Sequence, residues 1–295
     1  MKIHTDNYHI FIDTKCFTLN KKMKTYKIVV PVDFSNYCKY ALEYVELFSS
    51  KIDCKVYLIS VLDKDGILKN ITKNDIIQAE EKLISLAKEW ENRVNIKDSA
   101  IKIGSIHKEI IEYAEKSVQA DIIFMGSHGS VVSSQFFVGS NAEKIVRHFN
   151  GDVLVVKHPL VNESINKIVF AGDFKAEQTK IFPKVREWAF IFNSEIHLLY
   201  INTPAHFETT KEIEERFNHF IAVEQLDKLL GDKYCKAIYC DKTLEHGILN
   251  YSLEHEIDLI CMGTHGKHGI ERLFKDSVSQ QIVNHSFRPV LTLKV

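Results

Sequence analysis

The stretch Gly126–Ser140, "GSHGSVVSSQFFVGS", decides how this chain is read. It follows an apolar run, "ADIIFM" (120–125), and leads into a helical pattern, "NAEKIVRHF" (141–149). Three glycines and five serines crowd the connection. Glycine admits positive φ and lets a backbone N–H come close to a ligand. A helix opening at Ser140 adds free N–H groups and a positive dipole end, which together favour an anion. The hydroxyls of Ser127, Ser130 and Ser140 are further donors. The stretch therefore reads as a phosphate cradle, although it lacks the Gly-Lys-Ser/Thr of a P-loop. The competing reading is an ordinary turn with Ser140 as a helix N-cap, because turns favour the same residues.

A second stretch, "GTHGKHGIERLFKDS" (263–277), begins the same way and belongs to a repeat. "KIVVPVDFS" (27–35) resembles "KIVFAGDFK" (167–175). "ADIIFMGSHG" (120–129) resembles "IDLICMGTHG" (257–266), and "GDVLVVK" (151–157) resembles "RPVLTLK" (288–294). The offset is 140 at Asp33/Asp173 and 137 at Gly126/Gly263, a nearly constant shift across three ordered blocks. Such self-similarity marks a duplication. The boundary falls at "HPLVNESIN" (158–166), so the expected units are 23–158 and 164–295. "MKTYKIVVPVDFS" from Met23 is a natural domain start, and residues 1–22 are expected to be an appended arm.

Each copy alternates strands and helices. In copy one, "YKIVVPV" is a β-branched run of the buried parallel type. Ser35 is the expected N-cap of a helix whose apolar face is Cys38, Ala41, Leu42, Val45 and Phe48. "KVYLISV" is the second strand. An amphipathic helix is expected over 72–95, with Ile76, Ile77, Leu83, Ile84, Ala87 and Trp90 as its apolar residues. "AIKIG" is a short third strand, 106–119 a helix, "DIIFMG" the fourth strand and "DVLVV" the last. Copy two repeats this order with "EIHLLYI", "CKAIYC", "DLICMG" and "VLTLK". Pro183 should kink or restart its first helix. Alternation of this kind implies an α/β fold with right-handed crossovers and a parallel sheet covered on both faces. Ligands bind such sheets beyond the carboxyl ends of the strands. If the first and fourth strands are neighbours, Asp33 and Gly126 flank one crevice.

Composition narrows the function classes. The 295 residues carry 38 Lys+Arg and 39 Asp+Glu, a formal net charge of −1, which argues against a broad nucleic-acid surface. No apolar run reaches the length of a membrane span, and the first residues lack the pattern of a secretory signal. Six cysteines without a CxxC read as a reduced, cytoplasmic protein.

The motifs together identify the family. "VPVDFS", "DIIFMGSHG", Gly139-Ser140 separated from Gly129 by nine residues, and the closing "VLVVK" resemble a tandem universal stress protein from Met23 to Val295. The resemblance implies two doubly wound five-stranded parallel-sheet domains, Rossmann-like and similar to the adenine nucleotide alpha hydrolases. It implies that their last strands pair, here as an intrachain pseudo-dimer, with a homodimer of chains open. It also implies ATP or ADP, with or without Mg²⁺, in copy one. Asp33 then corresponds to the acidic residue beside adenine, where a carboxylate can accept from the exocyclic amine. From the residues alone, capping around Ser35 is an equal reading of Asp33. Val32 and Val61 are expected to line base and ribose, with Met125 below. Gly126, Ser127, His128, Gly129, Gly139, Ser140 and Asn141 are expected around ribose and phosphates.

Copy two departs from this pattern. Asp173, Gly263 and Gly266 persist, but Asp276 stands where copy one has Gly139. Aspartate repels phosphates, and its Cβ blocks conformations open to glycine. Lys267, His268, Arg272 and Lys275 could offset the charge, and "FAGDF" replaces "VPVDF". Strong nucleotide binding is not expected there. His265-x2-His268 and Cys235-x4-Cys240 are the closest approach to metal-ligand spacing, and neither completes a zinc pattern. No GxSxG elbow occurs and no residue is evident to position an attacking water, so any ATP hydrolysis should be slow. The expectation is a stress-response regulator that binds an adenine nucleotide in copy one and acts on a protein partner. The alternatives are a nucleotide-free interaction scaffold and a slow ATPase.

Overall fold

The computed structural model describes residues 24–64, 71–127, 140–264 and 276–294. The arm, Cys16, His128, Gly129, Ser130, Gly139 and the loop residues His265, Gly266, Lys267, His268, Arg272 and Lys275 lie outside the described residues.

The first half contributes β1 (Tyr26–Pro31), β2 (Cys54–Asp63), β3 (Ile96–Gly104), β4 (Ile122–Gly126) and β5 (Asp152–Val156). Its helices are α1 (Asn36–Ser49), α2 (Lys73–Trp90), α3 (Ile106–Glu112) and α4 (Ser140–His148). The second half contributes β6 (Lys167–Ala171), β7 (Glu195–Asn202), β8 (Tyr234–Cys240), β9 (Leu259–Thr264) and β10 (Val290–Lys294). Its helices are α5 (Phe182–Phe192), α6 (Thr210–Glu224), α7 (Leu226–Leu229), α8 (Leu244–Glu254) and α9 (Asp276–His285).

All ten strands form one sheet in the order β3-β2-β1-β4-β5-β10-β9-β6-β7-β8. Every pairing is parallel except β5 with β10, where Val155 faces Val290, Leu154 faces Leu291 and Val153 faces Thr292. The two closing strands thus cover each other's apolar edges, which would otherwise invite association. Two five-stranded parallel sheets are joined by one antiparallel seam, so the pseudo-dimer is intrachain.

Side chains reinforce the seam. Phe48 and Trp188 occupy matching places 140 residues apart, and their ring centroids lie 4.9 Å from one another. Phe124 and Phe192 pack on the same Trp188 ring. One apolar cluster consequently runs through both halves. A lysine at the end of β10 and another just past β5 cross the seam. Lys294 Nζ donates to the Arg147 carbonyl at the end of α4, 3.2 Å away, and Lys157 Nζ donates to Asn284 O at the end of α9. A cation at a helix C-terminus is well placed against the dipole. Lys184 Nζ also meets Asp152 Oδ1 at 2.8 Å, although burial still raises the Asp152 pKa.

Several local expectations need correction. α2 ends at Trp90, and its buried stripe is Ala79, Leu83, Leu86 and Trp90, at spacings of four, three and four. Ile77 and Ile84 are 50% and 63% exposed, so they lie outside the stripe that faces the sheet. Thr72 and Asp75 form a reciprocal capping box that fixes the start of α2. β3 spans nine residues rather than five. It is an edge strand, and its polar, half-exposed residues hide it from a search for apolar runs. The helix after it passes into a π-helical turn over Tyr113–Val118 and stops at Gln119, φ 55°. Pro183 sits in the first turn of α5, after a 3₁₀ turn over Ala176–Lys180. The chain restarts its helix there, where a missing N–H costs least.

Candidate functional site

β1 and β4 are hydrogen-bonded neighbours, with Ile28 opposite Ile122 and Val29 opposite Ile123. Their carboxyl ends therefore open side by side. Val32 prolongs β1, its N–H donating to Ile59 O at 2.7 Å. Phe34 then adopts φ 64°, a left-handed conformation that non-glycine residues seldom take. Phe174 repeats it at φ 55° in the second half. This turn aims α1 back across the sheet.

Asp33 occupies the corner. Its Oδ1 accepts from the Ser35 N–H at 3.1 Å and from Ser35 Oγ at 2.7 Å. Ser35 holds the N-cap position, makes no side-chain cap and donates its hydroxyl to Asp33. Asp33 Oδ2 is buried and has no hydrogen-bond partner among the described residues. A buried carboxylate oxygen left unpaired is costly, and such an atom calls for an explanation.

Gly126 closes the other side. A Cβ placed there would lie 2.6 Å from Tyr37 Cβ and 2.7 Å from the Tyr37 carbonyl carbon. The first turn of α1 thus rests on the end of β4, and packing requires glycine at this point. Met125 is buried beneath, and Val61 is half-buried at the end of β2 against the same cluster. Val32 is buried in the cluster on the opposite face of the sheet. Ser127 is fully buried, and its N–H donates to Val156 O at 2.8 Å, which ties the start of the glycine loop to β5. Ser140 opens α4, the helix start expected from the sequence.

His107 is a neighbour that the sequence reading missed. Its Nδ1 lies 3.3 Å from Ser105 Oγ. Burial first, then the charge of Lys144, lowers its pKa, while a hydrogen bond with Asn141 opposes the shift. Lys108 and His148 act in the same direction as Lys144. Lys144, Lys108 and His148 thus act on this ring, while the first turn of α4 carries Glu143 and its last turn Arg147 and His148. The available signal was "SIHKE" at the end of the third strand.

The second half offers a different crevice. Asp173 Oδ1 accepts from the Lys175 N–H at 3.3 Å, and its Oδ2 is 3.5 Å from Lys175 Nζ. Gln178 is buried, with Oε1 accepting from the Phe174 N–H at 2.9 Å. That amide fills the place where a Cβ on Gly172 would lie, 2.1 Å from Oε1. Asp173, Tyr200, Ile201, His206, Leu244 and Ile248 line what remains of the cleft.

The architecture defines the class: a duplicated, doubly wound α/β protein whose two five-stranded parallel sheets meet at one antiparallel seam. The universal stress protein family model matches residues 25–157 and again 164–294, and the chain belongs to that family. A universal stress protein of Methanocaldococcus jannaschii is 32% identical over 154 residues, covering 44% of this chain and 94% of that protein. A crystal structure of a universal stress protein from Archaeoglobus fulgidus superposes with a TM-score of 0.70 at 20% identity, covering 91% of this chain and 96% of the other. A putative universal stress protein from Pseudomonas aeruginosa gives 0.65 at 15% identity, with coverages of 92% and 93%. The latter two share the fold along nearly their whole length. Among the described residues no helix is long and apolar enough to cross a membrane.

Proposed function

We propose that the first half binds an adenine nucleotide, ATP or ADP with or without Mg²⁺, in the crevice between β1 and β4. The observation that carries this reading is the buried, unpartnered Oδ2 of Asp33, whose other oxygen is already satisfied. An acceptor held this way suits the exocyclic amine of adenine, whereas guanine presents a carbonyl at that place. Val32, Val61 and Met125 line base and ribose in this proposal. Gly126, Ser127, His128, Gly129, Gly139, Ser140 and Asn141 surround ribose and phosphates, with the basic groups near α4 supplying attraction. Units 23–158 and 164–295 act as a nucleotide-binding half and a supporting half, and 1–22 as an appended arm. The protein works in the cytoplasm as a stress-response regulator, its nucleotide state controlling association with a protein partner. Because β5 and β10 already pair within the chain, no second copy is needed to complete the fold. Hydrolysis, if any, is slow.

One observation favours a second reading, the nucleotide-free scaffold. Gly126 is required by Tyr37, and the Ser127 N–H is committed to Val156, so the start of the glycine loop has structural work of its own. Calorimetric titration of ATP into wild type and Gly139→Asp separates the two. Saturable binding near one site per chain, lost in the variant, supports the nucleotide reading. An absence of heat, together with no adenylate in extracts of the purified protein, supports the scaffold. A phosphate-release assay with the same variant as control tests the slow ATPase.

A further inference from the structure

The second half carries a cluster unrelated to either crevice. Glu195 and His197 are alternate residues of β7, so they project from the same face of the sheet. Cys235 on β8 is the direct register partner of His197. Glu195, His197 and Cys235 each offer one donor atom, and these atoms all lie within 4.8 Å of one another. From the geometry we infer a binding site for a borderline-soft divalent cation of the zinc type, formed by the Glu195 carboxylate, His197 Nε2 and the Cys235 thiolate.

Two observations support the inference. First, His197 is only 6% exposed, yet its Nε2 has no hydrogen-bond partner among the described residues. The nearest acceptor, Glu195 Oε1, is 3.5 Å away. Second, His197 Nδ1 lies 2.7 Å from Tyr251 Oη on α8. If Nδ1 donates to that hydroxyl, the lone pair of Nε2 points toward Glu195 and Cys235, the orientation by which an outer partner prepares a metal-binding imidazole.

The donor set selects the ion. A thiolate, an imidazole and a carboxylate suit Zn²⁺, whereas Mg²⁺ and Ca²⁺ prefer oxygen throughout. Tetrahedral zinc with bonds of about 2.0–2.3 Å holds its ligands roughly 3.3–3.6 Å apart, so rotamer adjustments of about an ångström would close the site. Three protein ligands leave a fourth position for water. Two features work against the ion. Burial and the neighbouring Glu195 raise the Cys235 thiol to about 11, so its proton must be displaced, and the nearby charge of Lys167 repels a cation. Both features predict an affinity below that of a closed structural site. In the first half, Tyr57 pairs with Asp98 at the corresponding register, and Lys55 stands two residues before Tyr57. The ligand set therefore belongs to the second half alone.

The test uses the full chain, stripped with a chelator, and titrates Zn²⁺ against a chromogenic competitor, with Co²⁺ as a spectroscopic probe. One zinc per chain is expected, together with a thiolate-to-cobalt charge-transfer band. Cys235→Ser should remove the band and weaken zinc at least tenfold, while Cys240→Ser, at an exposed cysteine of the same strand, should change neither. Tyr251→Phe should weaken zinc by about tenfold through the imidazole it orients. No stoichiometric zinc at neutral pH would overturn the inference. So would binding that survives Cys235→Ser, which would place the ion elsewhere in the chain. Circular dichroism of each variant shows that lost binding is not lost folding.

Discussion

Asp33 and Asp173 stand at the same corner of the two halves, each followed by a phenylalanine in the left-handed region. Each uses one oxygen to hold the backbone N–H two residues later. Their second oxygens differ. In the first half Oδ2 is buried with no partner among the described residues; in the second it faces the ammonium of Lys175. The phenylalanines differ in the same sense. Phe34 is at the surface, whereas Phe174 is buried among Phe170, Phe217 and Phe220. Among the described residues, one duplicated corner is therefore left unsatisfied and the other is closed by its own residues. A frame and a site can be inherited together and then diverge separately, because the frame depends on strands and seam while the site depends on a few polar atoms.

The largest expected effect tests whether the frame is shared. Trp188→Ala removes the ring that Phe48 and Phe124 pack against across the seam. It should cost about 3–5 kcal/mol, as large core truncations do. Both halves should unfold together in a single denaturant transition. Two separated transitions, with the first half unmoved, would show the halves to be independent. A smaller effect distinguishes the two glycines that end β4 and precede the end of β9. Gly126→Ala drives a Cβ into the Tyr37 backbone and should cost about 3 kcal/mol. Gly263→Ala meets only the flexible Cδ1 of Ile181, at 2.4 Å, and should cost about 1 kcal/mol. Equal losses in thermal melts would remove this distinction.

The frame was legible in the sequence because parallel strands buried on both faces read as apolar runs. "DVLVV" and "VLTLK" give β5 and β10 without adjustment. The edges were less legible. The polar face of β3 has no apolar run to detect, and α2 lies over the sheet with too narrow a stripe to exclude Ile77 and Ile84. The corner residue Asp33 could be found from its motif, but not the state of its second oxygen, which depends on tertiary surroundings. The Glu195–His197–Cys235 cluster was hidden for a similar reason. Its members span 40 residues, and Cys235 meets Glu195 and His197 only through the β7–β8 register, while the Cys235-x4-Cys240 spacing that sequence offers runs along one strand.

The corner itself can be tested. Asp33→Ala should weaken adenine nucleotide binding by about 1.5–3 kcal/mol, roughly ten- to a hundredfold, as loss of a hydrogen bond to a charged group does. Its effect on the stability of the ligand-free protein should be below about 1 kcal/mol, because the lost Ser35 bonds are offset by removal of the orphaned oxygen. The converse change, Lys175→Ser, should leave the second half without measurable nucleotide affinity, since Gln178 still occupies the space beside Gly172. Calorimetry on both variants checks this pair. A second binding event in Lys175→Ser would mean that the ion pair alone distinguishes the two corners.

The smallest effect concerns the seam and its pH dependence. Burial lowers the Lys157 pKa from 10.5 to about 8 in the folded chain. Between about pH 8 and 10.5 the unfolded chain then binds more protons at this residue than the folded chain does. Stability contributed by this group must therefore rise with pH across that window, and the cost of burying its charge is fully present below about pH 8. Lys157→Met removes the titration. The difference in unfolding free energy, wild type minus variant, should increase by on the order of 1–2 kcal/mol from pH 7.5 to pH 10, after allowance for solvent screening. Urea denaturation at those two pH values measures it. Lys294, the matching residue of the second half, crosses the seam in the opposite direction, so the double variant shows whether the two lysines act independently. A difference that stays flat with pH would mean that the Lys157 ammonium reaches water, and that its contact with Asn284 O contributes as an ordinary surface hydrogen bond.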